Sequence, residues 1–214
     1  MGKRHLEDAL KQIEEPTKVV YKCFELDPTA SVHNNQSMYE KLSEKYGMSN
    51  DQAKANCNNI VKMAEKAGLH FDFDRMVLTN TFDAHRLVLY AKSKGLMAQM
   101  TERLLRAYFS EGKHIGDHKT LTEIATEVGL DQDAVLAMLE SDDLIESVRK
   151  DQQQASEYNI RSVPFFLINK KYAITGAQPT DVFVQSLQQV IEQDGPFNEQ
   201  EKNHNSTCSD DRCS

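Results

Sequence analysis

The chain has 214 residues, 39% of them hydrophobic, no Trp, and a formal charge of -8; the mean hydropathy is -0.60 and the pI near 5.4. That length fits one domain with a large insertion or two small domains. The acidic balance argues against a nucleic-acid backbone or an anionic membrane surface as partner, since both attract a basic patch, and no apolar run approaches the length of a membrane span.

The first ten residues, MGKRHLEDAL, carry positive charge without an apolar core behind it, so they do not read as a signal peptide. Met1-Gly2 resembles a myristoylation start, but Leu6 stands where Ser or Thr is needed. The default location is the cytoplasm. There, four cysteines (Cys23, Cys57, Cys208, Cys213) read as thiols or a redox pair rather than a structural framework.

Leu6, Leu10 and Ile13 at helical spacing predict a helix over Lys3–Ile13, already running at residue 3 with no capping residue before it. Lys18–Leu26 (KVVYKCFEL) reads as a strand stopped by Asp27-Pro28. Residues 29–160 are helical by pattern. Met38–Tyr46 ends at Gly47. A Ser49–Gln52 capping box opens a helix carrying Ile60, Met63 and Ala64. Asn80–Thr81 caps a helix with Phe82, Leu87, Val88 and Tyr90, and Leu96–Ser110 follows. Thr120–Glu123 reads as another capping box, Asp131 caps Ala134–Leu139, and Ser141 is expected to cap a long helix reaching Tyr158. The polar second half of that helix, KDQQQASEY, predicts a solvent-facing side.

Two short β-favouring runs, Phe165–Ile168 and Tyr172–Thr175, are joined by the polar Asn169–Lys171 and predict a β-hairpin. Pro164 at the head of the first is tolerated because the first strand residue need not donate to the ladder. Thr180–Gln193 is an amphipathic helix with Phe183, Leu187, Val190 and Ile191 inward. From Gly195 the chain is polar and unpatterned and reads as a tail.

Chemistry-bearing residues each admit a plain reading. Cys208-x4-Cys213 is a redox pair or two incidental tail cysteines; Asp210 and Asp211 between them disfavour a thiolate. His204 with Cys208 and Cys213 could hold a soft metal, but no fourth ligand is evident, so no metal site is expected. His114 and His118 fall in the Gly-containing GKHIGDH, which reads as an exposed loop. His85 reads as a satisfied core or capping residue, with a cleft-lining role as the alternative. Cys23 and Cys57 read as small buried hydrophobes, and Met97 and Met100 as core.

Several strings together resemble the DsbA-like thioredoxin-fold proteins, in particular their cytosolic FrnE-like branch: GKRHLE (Gly2–Glu7), FELDP (Phe24–Pro28), NTFDAHRL (Asn80–Leu87), LLRAYFSEGKHIGD (Leu104–Asp117), LTEIATEVGLD (Leu121–Asp131) and SVPFFLINKKYAITGAQP (Ser162–Pro179). Kappa-class glutathione transferases and 2-hydroxychromene-2-carboxylate isomerases share the scaffold. The resemblance implies an α/β fold: a thioredoxin-like core (1–28 and 156–194) with a large inserted all-helical domain (29–155), followed by the tail (195–214). It implies a cis Pro164, and a Val163 whose backbone receives an extended thiol substrate. About 5–6% of X-Pro bonds in folded proteins are cis, so that expectation rests on the family alone.

The resemblance also implies a Cys-x-x-Cys at the start of the first helix, where the helix dipole lowers a thiol pKa. This chain begins at the following Gly-Lys-Arg, so the first strand and the primary thiols are expected to be missing through N-terminal shortening. Some FrnE-like proteins carry a C-terminal Cys-x4-Cys that exchanges with the main site, which gives Cys208 and Cys213 an auxiliary redox role. The leading expectation is a cytoplasmic thiol-disulfide oxidoreductase or isomerase acting on thiol- or disulfide-containing proteins. No bound cofactor is expected, though glutathione could be a co-substrate, and a homodimer stays open. The alternatives are a glutathione-dependent isomerase or transferase on the same scaffold, or a non-catalytic DsbA-like adaptor.

Overall fold

The computed structural model describes residues 1–195. The elements are α1 (Gly2–Leu10), α2 (Met38–Tyr46), α3 (Asn50–Lys66), α4 (Phe82–Ser93), α5 (Met97–Phe109), α6 (His118–Glu127), α7 (Gln132–Glu140), α8 (Ile145–Glu157), β1 (Phe165–Ile168), β2 (Tyr172–Thr175) and α9 (Thr180–Asp194). No described helix is long and apolar enough to cross a membrane. The chain divides into two compact units. One comprises Met1–Val20 with the chain from Ser162 onward, and the other is Tyr21–Arg161.

The first unit holds α1, the hairpin and α9. Gly2, Leu6, Ala9 and Ile13 fall at i, i+4, i+7 and i+11, one stripe of a helix. Leu6, Ala9 and Ile13 pack with Ile174, Phe183 and Leu187, and Phe166 and Ile168 close the cluster. Phe166 meets the fully buried Phe183 edge-on at 4.7 Å between ring centres. β1 and β2 run antiparallel, with Phe165 opposite Thr175 and Ile168 opposite Tyr172. Asn169 and Lys170 both take positive φ, the geometry that matches a hairpin turn to the right-handed strand twist.

The second unit is helical. Its main core is built around Leu87, Met100, Leu121, Ile124 and Val135. A smaller cluster gathers Cys57, Phe73, Met76 and Leu78. The Ser49–Gln52 capping box forms, and Ser37–Glu40 forms another. Gly47 closes α2 with φ 64, a conformation that costs a side-chain-bearing residue.

Several sequence expectations need correction. Residues 17–25 form no strand. A β-favouring run becomes a strand only where a ladder partner lies beside it, and among the described residues the sheet is β1 and β2 alone. The Cys23 N–H instead donates to the carboxylate of Asp151 at 3.0 Å. The cap of α6 is Asp117, which accepts from the Thr120 N–H at 2.8 Å, so the Thr120–Glu123 pattern lies inside the helix. Ser141 does not cap α8. Its hydroxyl accepts from the Asp143 N–H and turns the chain, and α8 starts only after Leu144. On α3, Ala53, Cys57 and Ala64 are buried while Ile60 and Met63 are exposed. The polar half of α8 does have the expected solvent-facing side, with Lys150, Gln153, Ser156 and Glu157 exposed, opposite the buried Asp151 and Ala155.

Candidate functional site

In the first unit, α1 begins against the head of β1. The Val163–Pro164 peptide bond is cis, the geometry that the DsbA-like resemblance implies. Val163 is 44% exposed. The Pro164 carbonyl accepts from the Gly176 N–H at 2.9 Å, which extends the hairpin pairing by one rung. A Cβ at Gly2 would lie 2.9 Å from Pro164 Cγ and 3.1 Å from Phe166 Cζ. The first helical residue is therefore glycine where the proline ring fills the space a side chain needs.

No side chain caps α1. The positive end of its dipole, which favours a nearby anion such as a thiolate, thus lies beside the Pro164 wall. His5, one turn along α1, bonds through Nδ1 to the Gln178 carbonyl at 2.7 Å. The Gln178 side-chain amide donates to the Thr175 carbonyl at 2.8 Å. Helix, proline loop and the Gly176–Pro179 loop are tied into one ring of contacts.

The second unit contains a buried polar network around residues 22–25. Asp151 accepts from Lys22 Nζ at 2.7 Å as well as from the Cys23 N–H. The buried Glu25 accepts from Arg149 and Gln152, each at 2.7 Å. Burial holds the half-buried His85 below its usual pKa, against the pull of Glu25, of a bond to the Phe24 backbone and of Asp151. Burial and the neighbouring Asp151 carboxylate push the Cys23 thiol up to about 12. Burial also raises Cys57. His85 therefore serves this network, in line with its satisfied-residue reading.

A thiol moved from 9.0 to about 12 has a roughly thousandfold smaller thiolate fraction at neutral pH. Native protein treated with iodoacetamide at pH 8 is expected to leave Cys23 and Cys57 unmodified, whereas denatured protein labels both. Peptide mass spectrometry reads this directly, and native labelling of Cys23 within minutes would contradict it.

The remaining sequence candidates do not converge. His114 bonds the Val32 carbonyl and His118 the Asp83 carboxylate, each at 2.8 Å. Among the described residues no group of three or more His, Cys, Asp or Glu could hold a metal. Cys208, Cys213 and His204 lie outside the described residues. Gly2, His5 and Gln178 complete the wall, and nothing in their spacing marks them; the GKRHLE string holds two of the three.

A helix start abutting a cis-proline at the head of a hairpin, with a helical unit lying between them in sequence, defines a thioredoxin-like protein of the DsbA class. The chain belongs to the DsbA-like thioredoxin domain family, whose model matches residues 1–188. It is similar to the uncharacterized protein YwbO of Bacillus subtilis (strain 168), at 29% identity over 191 residues, covering 87% of this chain and 88% of the relative. It is also similar to the crystal structure of a probable DsbA oxidoreductase from Streptomyces coelicolor: the TM-score is 0.84 and the identity 34%, over 89% of this chain and 83% of the other. The fold is thus DsbA-like, and the family points to oxidoreductase chemistry.

Proposed function

We propose that this chain is a thiol-disulfide oxidoreductase of the FrnE-like type, oxidising or isomerising thiol-bearing proteins in the cytoplasm. The observation that carries the reading is the exposed Val163 next to Pro164, whose ring packs closely against Gly2 at the start of α1. An extended substrate laid along Val163 would bring its sulfur toward the positive end of the α1 dipole, which stabilises a thiolate.

Cys23 and Cys57 are buried, so in this reading the chain's own exchanging sulfurs are Cys208 and Cys213. A substrate thiolate attacks one sulfur of the Cys208–Cys213 disulfide and forms a mixed disulfide, and the other cysteine leaves as thiolate. The second substrate thiolate then attacks the substrate sulfur of the mixed bond and closes the substrate disulfide. The substrate loses two electrons and two protons, and both cysteines end reduced. Oxidised glutathione, as co-substrate, returns the pair to the disulfide and is itself reduced to two thiols.

The test is oxidation of a reduced two-cysteine peptide by the full chain, compared with the Cys208→Ser, Cys213→Ser and double variants. The expected result, with oxidised glutathione present, is turnover by the full chain above the glutathione background, most of it lost in each single variant and all of it in the double variant. A full chain no faster than buffered glutathione disulfide would overturn the oxidoreductase reading and leave the wall as an adaptor's binding surface.

A further inference from the structure

We infer that His5 is a positioning residue for the Val163–Pro164 wall, an inference that rests on the oxidoreductase reading only for its consequence in turnover. The partner of His5 Nδ1 is the Gln178 backbone carbonyl, at 2.7 Å. A carbonyl cannot donate, so Nδ1 carries the hydrogen and the imidazole acts as donor. Gln178 sits in the loop joining β2 to α9, and its own amide grips the Thr175 carbonyl at 2.8 Å. The next residue, Gly176, donates its N–H to Pro164 at 2.9 Å. The proline ring meets the backbone of Gly2, three residues before His5 on α1.

Residues three apart on a helix share a face. Gly2 and His5 therefore hold the same loop system at two points, one through van der Waals contact with Pro164 and one through a hydrogen bond to Gln178. Without the second, the Gly176–Pro179 loop loses its hydrogen bond to His5 of α1 and keeps its link to α1 through the proline ring against Gly2. The distance between the α1 start and the Val163 backbone is then less well fixed. A docking geometry that loosens weakens substrate binding, while the sulfurs that exchange are untouched.

The experiment compares His5→Ala and His5→Asn with the full chain. Asparagine places a donor nitrogen at the same bond count from Cβ as Nδ1, so it rebuilds the bond without the ring. The first readout is amide exchange of Gly176, which depends on the loop and needs no activity. Loss of one hydrogen bond predicts about tenfold faster exchange in His5→Ala, with most of it restored in His5→Asn. The second readout is peptide oxidation, where KM is expected to rise about tenfold in His5→Ala while kcat stays within about twofold. Unchanged Gly176 exchange in His5→Ala overturns the brace. Faster exchange with an unchanged KM in an active protein overturns its role in docking. Should the full chain show no turnover, the oxidoreductase reading falls, and Gly176 exchange alone decides the brace.

Discussion

Replacing Arg86 with alanine is expected to destabilise the helical unit by about 3–5 kcal/mol and to lower its melting temperature by roughly 6–20 °C, at about 2–4 °C per kcal/mol for a chain of this size. Arg86 is 3% exposed. Its Nε donates to the Asp143 carbonyl at 2.9 Å. Nη1 donates to Asp83 Oδ1 at 2.8 Å and the Leu139 carbonyl at 3.1 Å. Nη2 donates to the carbonyls of Met138 at 2.6 Å and Ser141 at 2.5 Å. The last carbonyls of a helix have no partner within it, and α7 ends at Glu140. Arg86 thus supplies donors from α4 to the end of α7 and the turn into α8, where Met138 alone of the four carbonyls is also met by Ser141 among the described bonds, and its positive charge also suits the negative end of the α7 dipole.

Removing the guanidinium leaves four carbonyls without this donor at a buried place, where an unmet polar group costs about 1–3 kcal/mol. Water entering the vacated volume recovers part of that, which sets the lower bound. Arg86→Lys should recover less than half of the loss, since an ammonium offers three donors on a single point where a planar fork of five is in use. Thermal unfolding followed by circular dichroism separates the cases. A drop below about 2 °C for Arg86→Ala would show that the carbonyls are met from elsewhere.

How far the sequence foretold this molecule depends on whether each signal was local. The Ser49–Gln52 box, the Asp131 cap and the Gly47 stop are read within four residues, and each forms. The hairpin at Phe165–Ile168 and Tyr172–Thr175 forms over the expected residues, because turn and strands are adjacent in the chain. Signals that depend on distant partners were not legible. Lys18–Leu26 has strand composition, but pairing is a property of two segments. On α3, Ile60 and Met63 are the larger apolar residues, yet Ala53, Cys57 and Ala64 form the buried stripe; residue size hid the periodicity. Where two caps competed, the aspartate outside the helix took the first-turn N–H and Thr120 did not. Arg86 is a charged residue in a helix interior, and its burial follows from α7 ending beside it, some fifty residues on. The wall was half legible. All five residues stand in family-like strings, but only Val163 and Pro164 carry an expected role there; Gly2, His5 and Gln178 matter because folding sets residues 2 and 5 against residues 164 and 178.

The second large effect is expected at Gly2, where two principles oppose each other. Helix propensity favours replacing a helical glycine, by roughly 0.5–1 kcal/mol for alanine in a helix interior and less at a first position. The packing opposes it. A Cβ there would stand 2.9 Å from Pro164 Cγ, 3.1 Å from Phe166 Cζ and 3.3 Å from Pro164 Cβ. Neither neighbour yields freely. The Pro164 carbonyl is bonded to Gly176, and the Phe166 ring packs against Phe183, which is fully buried. Overpacking of this kind costs about 1–3 kcal/mol, so packing outweighs propensity. Gly2→Ala should be mildly destabilising, and Gly2→Val, with two further methyl groups aimed at the same place, should lower the melting temperature of the first unit by roughly 3–10 °C. Gly2→Val also moves the proline ring away from the α1 start, so peptide oxidation should fall further than stability alone accounts for, at a temperature where the variant is fully folded. Thermal unfolding of both variants, with peptide turnover measured well below the transition, checks this. Melting temperatures equal to or above that of the unsubstituted chain in both variants would mean that the proline loop gives way at no cost, and that the close approach of Gly2 to Pro164 is not what sets the wall.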